Sequence, residues 1–200
     1  MLGIASFLIS VLQLCIGYLN DASFCIKHIQ MHFTNLNGLP LMFLYLFTLY
    51  KFEYIPTSVH KNCNVYNSFK ALVILDFLMY VAHYLEHKCK SSYHKVHHKH
   101  THPKWYNSFE VHIIDALVMI FIPLSITLYY VILTNYELLI FGILVSSHLT
   151  ILHSESIPFE NTLSKLHIGT PAFHKKHHLH FQKNFGHIFT LWDKCFNTFI

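Results

Sequence analysis

The feature that most limits how this chain can fold is a recurrence of apolar segments with little charge around them. They cover residues 3–18 (GIASFLISVLQLCIGY), 39–50, 69–82, 113–131 and 138–152. Hydrophobic residues make up 53% of the chain and charged ones 12%, too few charges to cover a water-exposed surface. Of these segments, 113–131 approaches the ~20 residues of a perpendicular helical span, so the others need flanking polar residues to complete a crossing. The first segment lacks a basic leader and a small-residue cleavage site, and it reads as an anchor or first span. The sequence therefore predicts an all-α integral membrane bundle. Residues 1–68 are expected to anchor it and residues 69–200 to carry its chemistry, as one structural unit.

The segments 113–131 and 138–152 are joined by Leu133-Thr134-Asn135-Tyr136-Glu137, which reads as a hairpin that enters the membrane and returns to the side it left. That places the histidine-rich stretches before and after it on one face, as a helical cap. Both stretches carry lysines: Lys88, Lys90, Lys95, Lys99 and Lys104 in the first, and Lys175, Lys176, Lys183 and Lys194 in the second. By the positive-inside rule that face is cytoplasmic. The net charge of +4 comes with no long basic run and no RNA-binding signature, which argues against nucleic acid as a partner. Five scattered cysteines, none in a C-x-x-C pair, suggest neither a disulfide framework nor a thiolate metal site.

Histidine occurs 19 times, and not evenly. Four groups stand out: His83-x-x-x-His87, His94-x-x-His97-His98, His148 with His153, and His174-x-x-His177-His178. Positions i, i+3 and i+4 share a helix face, so each group can aim two or three imidazoles at a common point. Four such groups on different helices can enclose more than one ion. An all-nitrogen donor set suits iron, zinc, copper or nickel and argues against calcium or magnesium. His148 and His153 are five apart, about 140° around a helix, so both reach one ion only where the helix is broken. The isolated His28, His32 and His60 read as interfacial residues, and His100 and His102 as loop residues.

Asp76, Tyr80, His83 and His87 form one helical stripe on an otherwise apolar segment (ALVILDFLMYVAHYLEH). A carboxylate inside an apolar helix is costly without a partner. The expected partner is the outer ring N–H of a metal-ligating histidine, which a carboxylate orients and makes more basic. Asp76 and Tyr80 are thus candidates for groups that hold the ligands from behind.

The combined pattern, D-x3-Y-x2-H-x3-H, then H-K-x-H-H, a later H-S and a final H-x-x-H-H, resembles the fatty acid hydroxylase superfamily. That group includes sterol desaturases, C4-methylsterol oxidases and fatty acid 2-hydroxylases. The tail, Asn184-Phe185-Gly186 and Thr190-Leu191-Trp192-Asp193, looks like the family's N-Y/F-G…T-L-W-D ending. The resemblance implies an integral membrane enzyme with two iron ions, where zinc can substitute in a preparation. It also implies O2 as co-substrate, a lipid substrate, and electrons from a separate donor such as cytochrome b5 or a reductase. The implied ligands are His83, His87, His94, His97, His98, His153, His174, His177 and His178. His153, followed by Ser154, matches the H-S element, with His148 left as a further candidate. His112 falls at the family's H-P-x-E element, read here as His112-Ile113-Ile114-Asp115, and is a supporting candidate. Tyr84 replaces the family's arginine after the first histidine, and Phe196-Asn197-Thr198 replaces its F-G-T.

The implied reaction is hydroxylation or desaturation of a sterol or fatty acyl chain. An unactivated C–H bond is beyond acid–base catalysis alone, so a metal centre and O2 supply the oxidising power while the protein supplies ligation and exclusion of water. In a eukaryote the expected location is the endoplasmic reticulum. The competing reading is a non-catalytic zinc-binding or metal-transporting membrane protein. Transport favours ligands near the bilayer midplane, whereas these boxes sit in lysine-rich segments at helix ends.

Overall fold

The computed structural model describes residues 2–21, 24–35, 48, 51 and 64–200. The expected segment 39–50 (apart from Thr48), His60 and Cys63 lie outside the described residues. The helices are α1 (Leu2–Asn20), α2 (Ile26–Asn35), α3 (Val65–Lys88), α4 (Ile113–Tyr130), α5 (Asn135–Leu152), α6 (Glu160–Lys165), α7 (Pro171–His180) and α8 (Leu191–Cys195). Two 3₁₀ turns, His94–Lys99 and Trp105–Asn107, lie between α3 and α4. Among the described residues there is no strand, only one isolated bridge between Ile168 and Phe189.

Three helices, α3, α4 and α5, are long and apolar enough to cross a membrane. The apolar stretch 69–82 becomes a longer helix because polar flanks extend it at both ends, to a length of ~36 Å. The three pack through Ala71, Leu75 and Met79 of α3, Leu124 and Leu128 of α4, and Phe141, Leu149 and Leu152 of α5. Their outer faces are apolar too, with Ile122, Ile126, Ile140 and Leu144 exposed. A helix apolar all round needs lipid or protein on every side. Hydroxyls within these helices turn back onto their own carbonyls: Thr127 Oγ1 donates to Pro123 O at 2.8 Å and Thr150 Oγ1 to Ser146 O at 2.9 Å. This satisfies each polar atom where water is absent.

Segment 113–131, expected as one helix, contains a π turn at Leu117–Phe121. Pro123, two residues beyond it, has no N–H to donate, and a wider turn is one way a helix accommodates that loss.

The hairpin between α4 and α5 is closed by a reciprocal cap. Thr134 Oγ1 accepts from Glu137 N at 3.2 Å, and Glu137 Oε2 accepts from Thr134 N at 2.7 Å. The other oxygen of Glu137 accepts from Asn64 N at 2.6 Å, which ties the start of α3 to the same end. Exposed Tyr66, Tyr129, Tyr130 and Tyr136 cluster by sequence at that end, as interfacial aromatics do. The C-termini of α3 and α5 and the N-terminus of α4 therefore meet at the opposite end, where the histidines lie.

α1 packs along α5, and Gly17 lets it close on the Trp105 ring: a Cβ there would stand 2.3 Å from that ring. Trp105 Nε1 donates to Asp21 Oδ2 at 3.3 Å. His32, expected at an interface, is instead buried with its ring 5.2 Å from that of Trp105, because α2 folds back onto the 3₁₀ turn.

Asp76 is fully buried in α3, but its partner is not a histidine. Its oxygens accept from Ile188 N at 2.7 Å, Phe189 N at 3.1 Å and Trp192 Nε1 at 2.9 Å. Tyr80 likewise reaches Thr198 Oγ1 at 3.0 Å and not a histidine. Both expectations are corrected for one reason: the C-terminal segment folds over α3 and presents backbone N–H groups and hydroxyls nearer than any imidazole. Asp76→Ala leaves three donors without an acceptor and is expected to cost about 3 kcal/mol or more. In detergent that corresponds to a melting temperature lower by about 10 °C. An unchanged melting curve would contradict the bonding described for Asp76.

Candidate metal centre

Nine histidines converge in two groups. His83, His87, His94, His98 and His177 form the first, and His97, His153, His174 and His178 the second; within each group the inward ring nitrogens lie within 4.8 Å of one another. The groups abut, with the rings of His98 and His178 centred 4.6 Å apart.

Each H-x-x-H-H box splits between the two groups. His94 and His98, i and i+4, face the first while His97 faces the second; His174 and His178 face the second while His177 faces the first. On α7 adjacent residues diverge by about 100°, so His177 and His178 point to different centres while the i, i+4 pair His174 and His178 stays together. The third box resolves differently. α5 ends at Leu152, and His153 sits in the cap with its Nδ1 donating to Leu149 O at 2.8 Å. That carbonyl is one of those a helix end leaves without an intrahelical partner. His148, still inside α5, donates through Nε2 to His187 O at 3.1 Å and belongs to neither group. His112 also stands outside both; its Nδ1 accepts from Ile114 N at 3.2 Å and caps α4.

Most ligand candidates are fixed from behind by an acceptor. His83 Nδ1 donates to Phe185 O at 2.8 Å, His177 Nδ1 to Lys183 O at 2.7 Å and His178 Nδ1 to His100 O at 2.9 Å. His94 Nδ1 donates to the Asp115 carboxylate at 2.9 Å. Asp115 thus does what was expected of Asp76. The sequence held a signal for it, an acid at the fourth position of His112-Ile113-Ile114-Asp115. The backbone acceptors carry no sequence signal. His187 was also missed: it is buried, with its ring 4.9 Å from that of His83 and 6.1 Å from that of His174.

These anchors decide what the groups can hold. A neutral ring that donates at Nδ1 has a bare lone pair at Nε2. His94 and His177 are such rings, and both aim Nε2 at His98 Nε2, at 3.0 and 3.1 Å. His87 Nε2 stands 3.0 Å from the same atom. One proton on His98 satisfies one of these contacts and leaves lone pair against lone pair in the rest. The second group repeats the problem: His153 and His178 aim Nε2 at His174 Nε2, at 3.2 and 3.1 Å. Protonation is no remedy. Burial first, and then the neighbouring imidazoles, hold His97, His98, His174 and His177 well below the ordinary histidine range. Burial pushes His153 down to about 4 and His178 to about 3. A cation among the nitrogens removes the repulsion, and two nitrogens ~2.1 Å from one ion at right angles stand ~3.0 Å apart. The donor set fits a borderline divalent ion in each group.

The loop that supplies two of these acceptors is itself gripped. Asp193 accepts from Phe185 N and Gly186 N, both at 2.7 Å, and from Thr198 Oγ1 at 2.7 Å. A Cβ at Gly186 would lie 2.5 Å from Phe189 O, so the turn admits no side chain. This is the N-F-G…T-L-W-D tail, with Asp76 holding residues 188 and 189 and Asp193 holding 185 and 186.

Residues 68–198, which contain all nine histidines, match the family described as Fatty acid hydroxylase. The chain belongs to the fatty acid hydroxylase family. It is also 32% identical over 177 residues to a protein of Phaeodactylum tricornutum (strain CCAP 1055/1) named "Alternative squalene epoxidase", an overlap of 84% of this chain and 51% of the relative. The chain thus spans about half the length of that curated relative. No solved structure matches. In family terms the chain is an integral membrane helical bundle with its histidine-rich centre at one end of the spans.

The depressed histidines set a pH dependence for the metal-free protein. Unfolded histidine binds a proton below about 6.5, whereas folded His153 and His178 resist it until about 4 and 3. The unfolded state is therefore favoured progressively as pH falls through that window, and stability is complete only above it. Thermal melting of the metal-stripped protein from pH 7.5 to 4 is expected to fall steadily below about pH 6.5. A flat profile would contradict the burial of these rings.

Proposed function

We propose that the chain is a membrane-bound oxygenase that uses two iron ions, O2 and electrons from a separate protein to oxidise a lipid. The observation that carries this reading is the pair of abutting all-imidazole groups, at the polar end of apolar spans, in a member of the fatty acid hydroxylase family. His83, His87, His94, His98 and His177 would hold one ion, and His97, His153, His174 and His178 the other. Iron in these sites supplies the redox chemistry with O2 that an unactivated lipid carbon requires.

The protein's own part is ligation, orientation and exclusion of water. Asp115 and the carbonyls of Phe185, Lys183, His100 and Leu149 keep the Nδ1 protons in place, so each Nε2 lone pair points inward. Asp76, Asp193, Tyr80 and Thr198 act through the C-terminal loop and are positioning residues. Residues 1–68 serve as membrane anchor and 69–200 as the catalytic unit. The lysines flanking the boxes support a cytoplasmic orientation for the centre, in the endoplasmic reticulum if the source is eukaryotic. Cytochrome b5 or a reductase is the class of electron donor that fits that face. A lipid would reach the centre from the bilayer and present one carbon to the polar end of the bundle.

The named relative favours a particular version, in which one oxygen adds across a carbon–carbon double bond of an unsaturated hydrocarbon lipid. Hydroxylation and desaturation are the versions the family resemblance supports.

The test is a comparison, by mass, of lipid extracts from cells with and without the chain, grown under isotopically labelled oxygen. A lipid heavier by one labelled oxygen means hydroxylation or epoxidation; one lighter by two hydrogens means desaturation. His177→Ala is expected to reach the membrane in equal amount and to lose the product by about 100-fold or more. Full turnover in that variant would contradict the site. An unchanged lipid profile with a redox-silent, zinc-filled centre would support the metal-binding alternative.

A further inference from the structure

The two groups differ in how they meet water. A cleft of about 420 Å³ opens beside the first group. His87, His94 and His98 line it, and no histidine of the second group does. Its mouth is formed by exposed Lys90, Lys95 and Gln182. In the second group His97 is partly exposed, but it does not line this cleft; His153 is 3% exposed, and His174 and His178 are fully buried.

One residue of the cleft has no part in the histidine cage. Glu86 is 8% exposed and lines the cleft beside His87. Its carboxylate has no hydrogen-bond or ion-pair partner among the described residues. Glu86 offers an unengaged carboxylate to whatever enters the cleft. The arrangement is graded: two ammonium groups at the mouth, a carboxylate inside, three imidazole nitrogens at the floor. Such a gradient attracts an anionic carrier at the rim and draws a cation inward.

We infer that this cleft is the port through which the first group exchanges its metal with water, taking a divalent ion from a small carboxylate carrier, with Lys90 and Lys95 holding the carrier and Glu86 handing the ion to His87, His94 and His98. It rests on the two-metal reading above. The first site then exchanges faster than the more enclosed second, so one ion of the pair can be lost or replaced while its neighbour stays.

The experiment uses the intact, detergent-solubilised, metal-loaded chain and reads metal content by mass spectrometry as a chelator acts. With EDTA, one ion per chain is expected to leave in a fast phase and the second at least about tenfold more slowly. Gln182→Trp, at an exposed position, narrows the mouth and should slow the fast phase without changing total metal. Lys90→Glu with Lys95→Glu should slow extraction by anionic EDTA about fivefold or more and leave extraction by neutral phenanthroline unchanged. Reloading the emptied site with cobalt(II) citrate, followed by cobalt absorption, should slow by a similar factor in Glu86→Gln. Release of both ions in a single phase, unaffected by these variants, would overturn the port while leaving the two-metal reading intact. A chain isolated with no bound metal, and unable to take up cobalt, would overturn both.

Discussion

Asp76 and Asp193, both fully buried, hold the same short stretch of backbone. Asp76 takes the N–H groups of Ile188 and Phe189, and Asp193 those of Phe185 and Gly186. With its N–H groups taken, the stretch is free to offer carbonyls elsewhere: Phe185 O to His83 and His187 O to His148, with Lys183 O of the adjoining turn to His177. The ring tautomers follow from these acceptors, and the direction of each lone pair follows from the tautomer. A carboxylate buried on a membrane helix thereby sets the geometry of a histidine cluster it does not touch.

The membrane end of the structure answers to a different constraint. α3, α4 and α5 are apolar on the face that packs and on the face that does not, and their hydroxyls bond to their own helix backbone. Asp76 is the buried acid in the middle of α3, held by donors from the C-terminal segment, whereas the clustered histidines concentrate where the spans end. The histidine cluster lies where apolar spans meet polar loops.

The nine clustered histidines were legible because helical spacing is a local property: i, i+3 and i+4 are visible in the sequence, and so is the hairpin that brings distant boxes to one face. The split of each box between two groups was not legible: spacing aims i, i+3 and i+4 at one face, whereas His97 and His177 turn to the opposite group from their box neighbours. The roles of Asp76 and Tyr80 were not legible. Their stripe with His83 and His87 is real, but the C-terminal loop that packs over α3 is more than a hundred residues away and outcompetes the imidazoles for them. The carbonyl anchors were invisible in principle, since every residue carries one and only the fold decides which is aimed. His148 and His153 posed an ambiguity that spacing left open, and the end of α5 at Leu152 separates them. His32 misled because an isolated histidine near lysines is a common interfacial residue, whereas here α2 turns it onto Trp105.

Two adjacent metal sites with nitrogen donors alone have a distinctive signature in X-ray absorption at the metal edge, read with metal counted per chain. Two ions per chain are expected, with a nitrogen-only coordination shell, imidazole scattering behind it, and one retained ion in each of His87→Ala and His153→Ala. A sulfur ligand, a single ion per chain, or loss of both ions from either variant would rule out the two nitrogen-only sites.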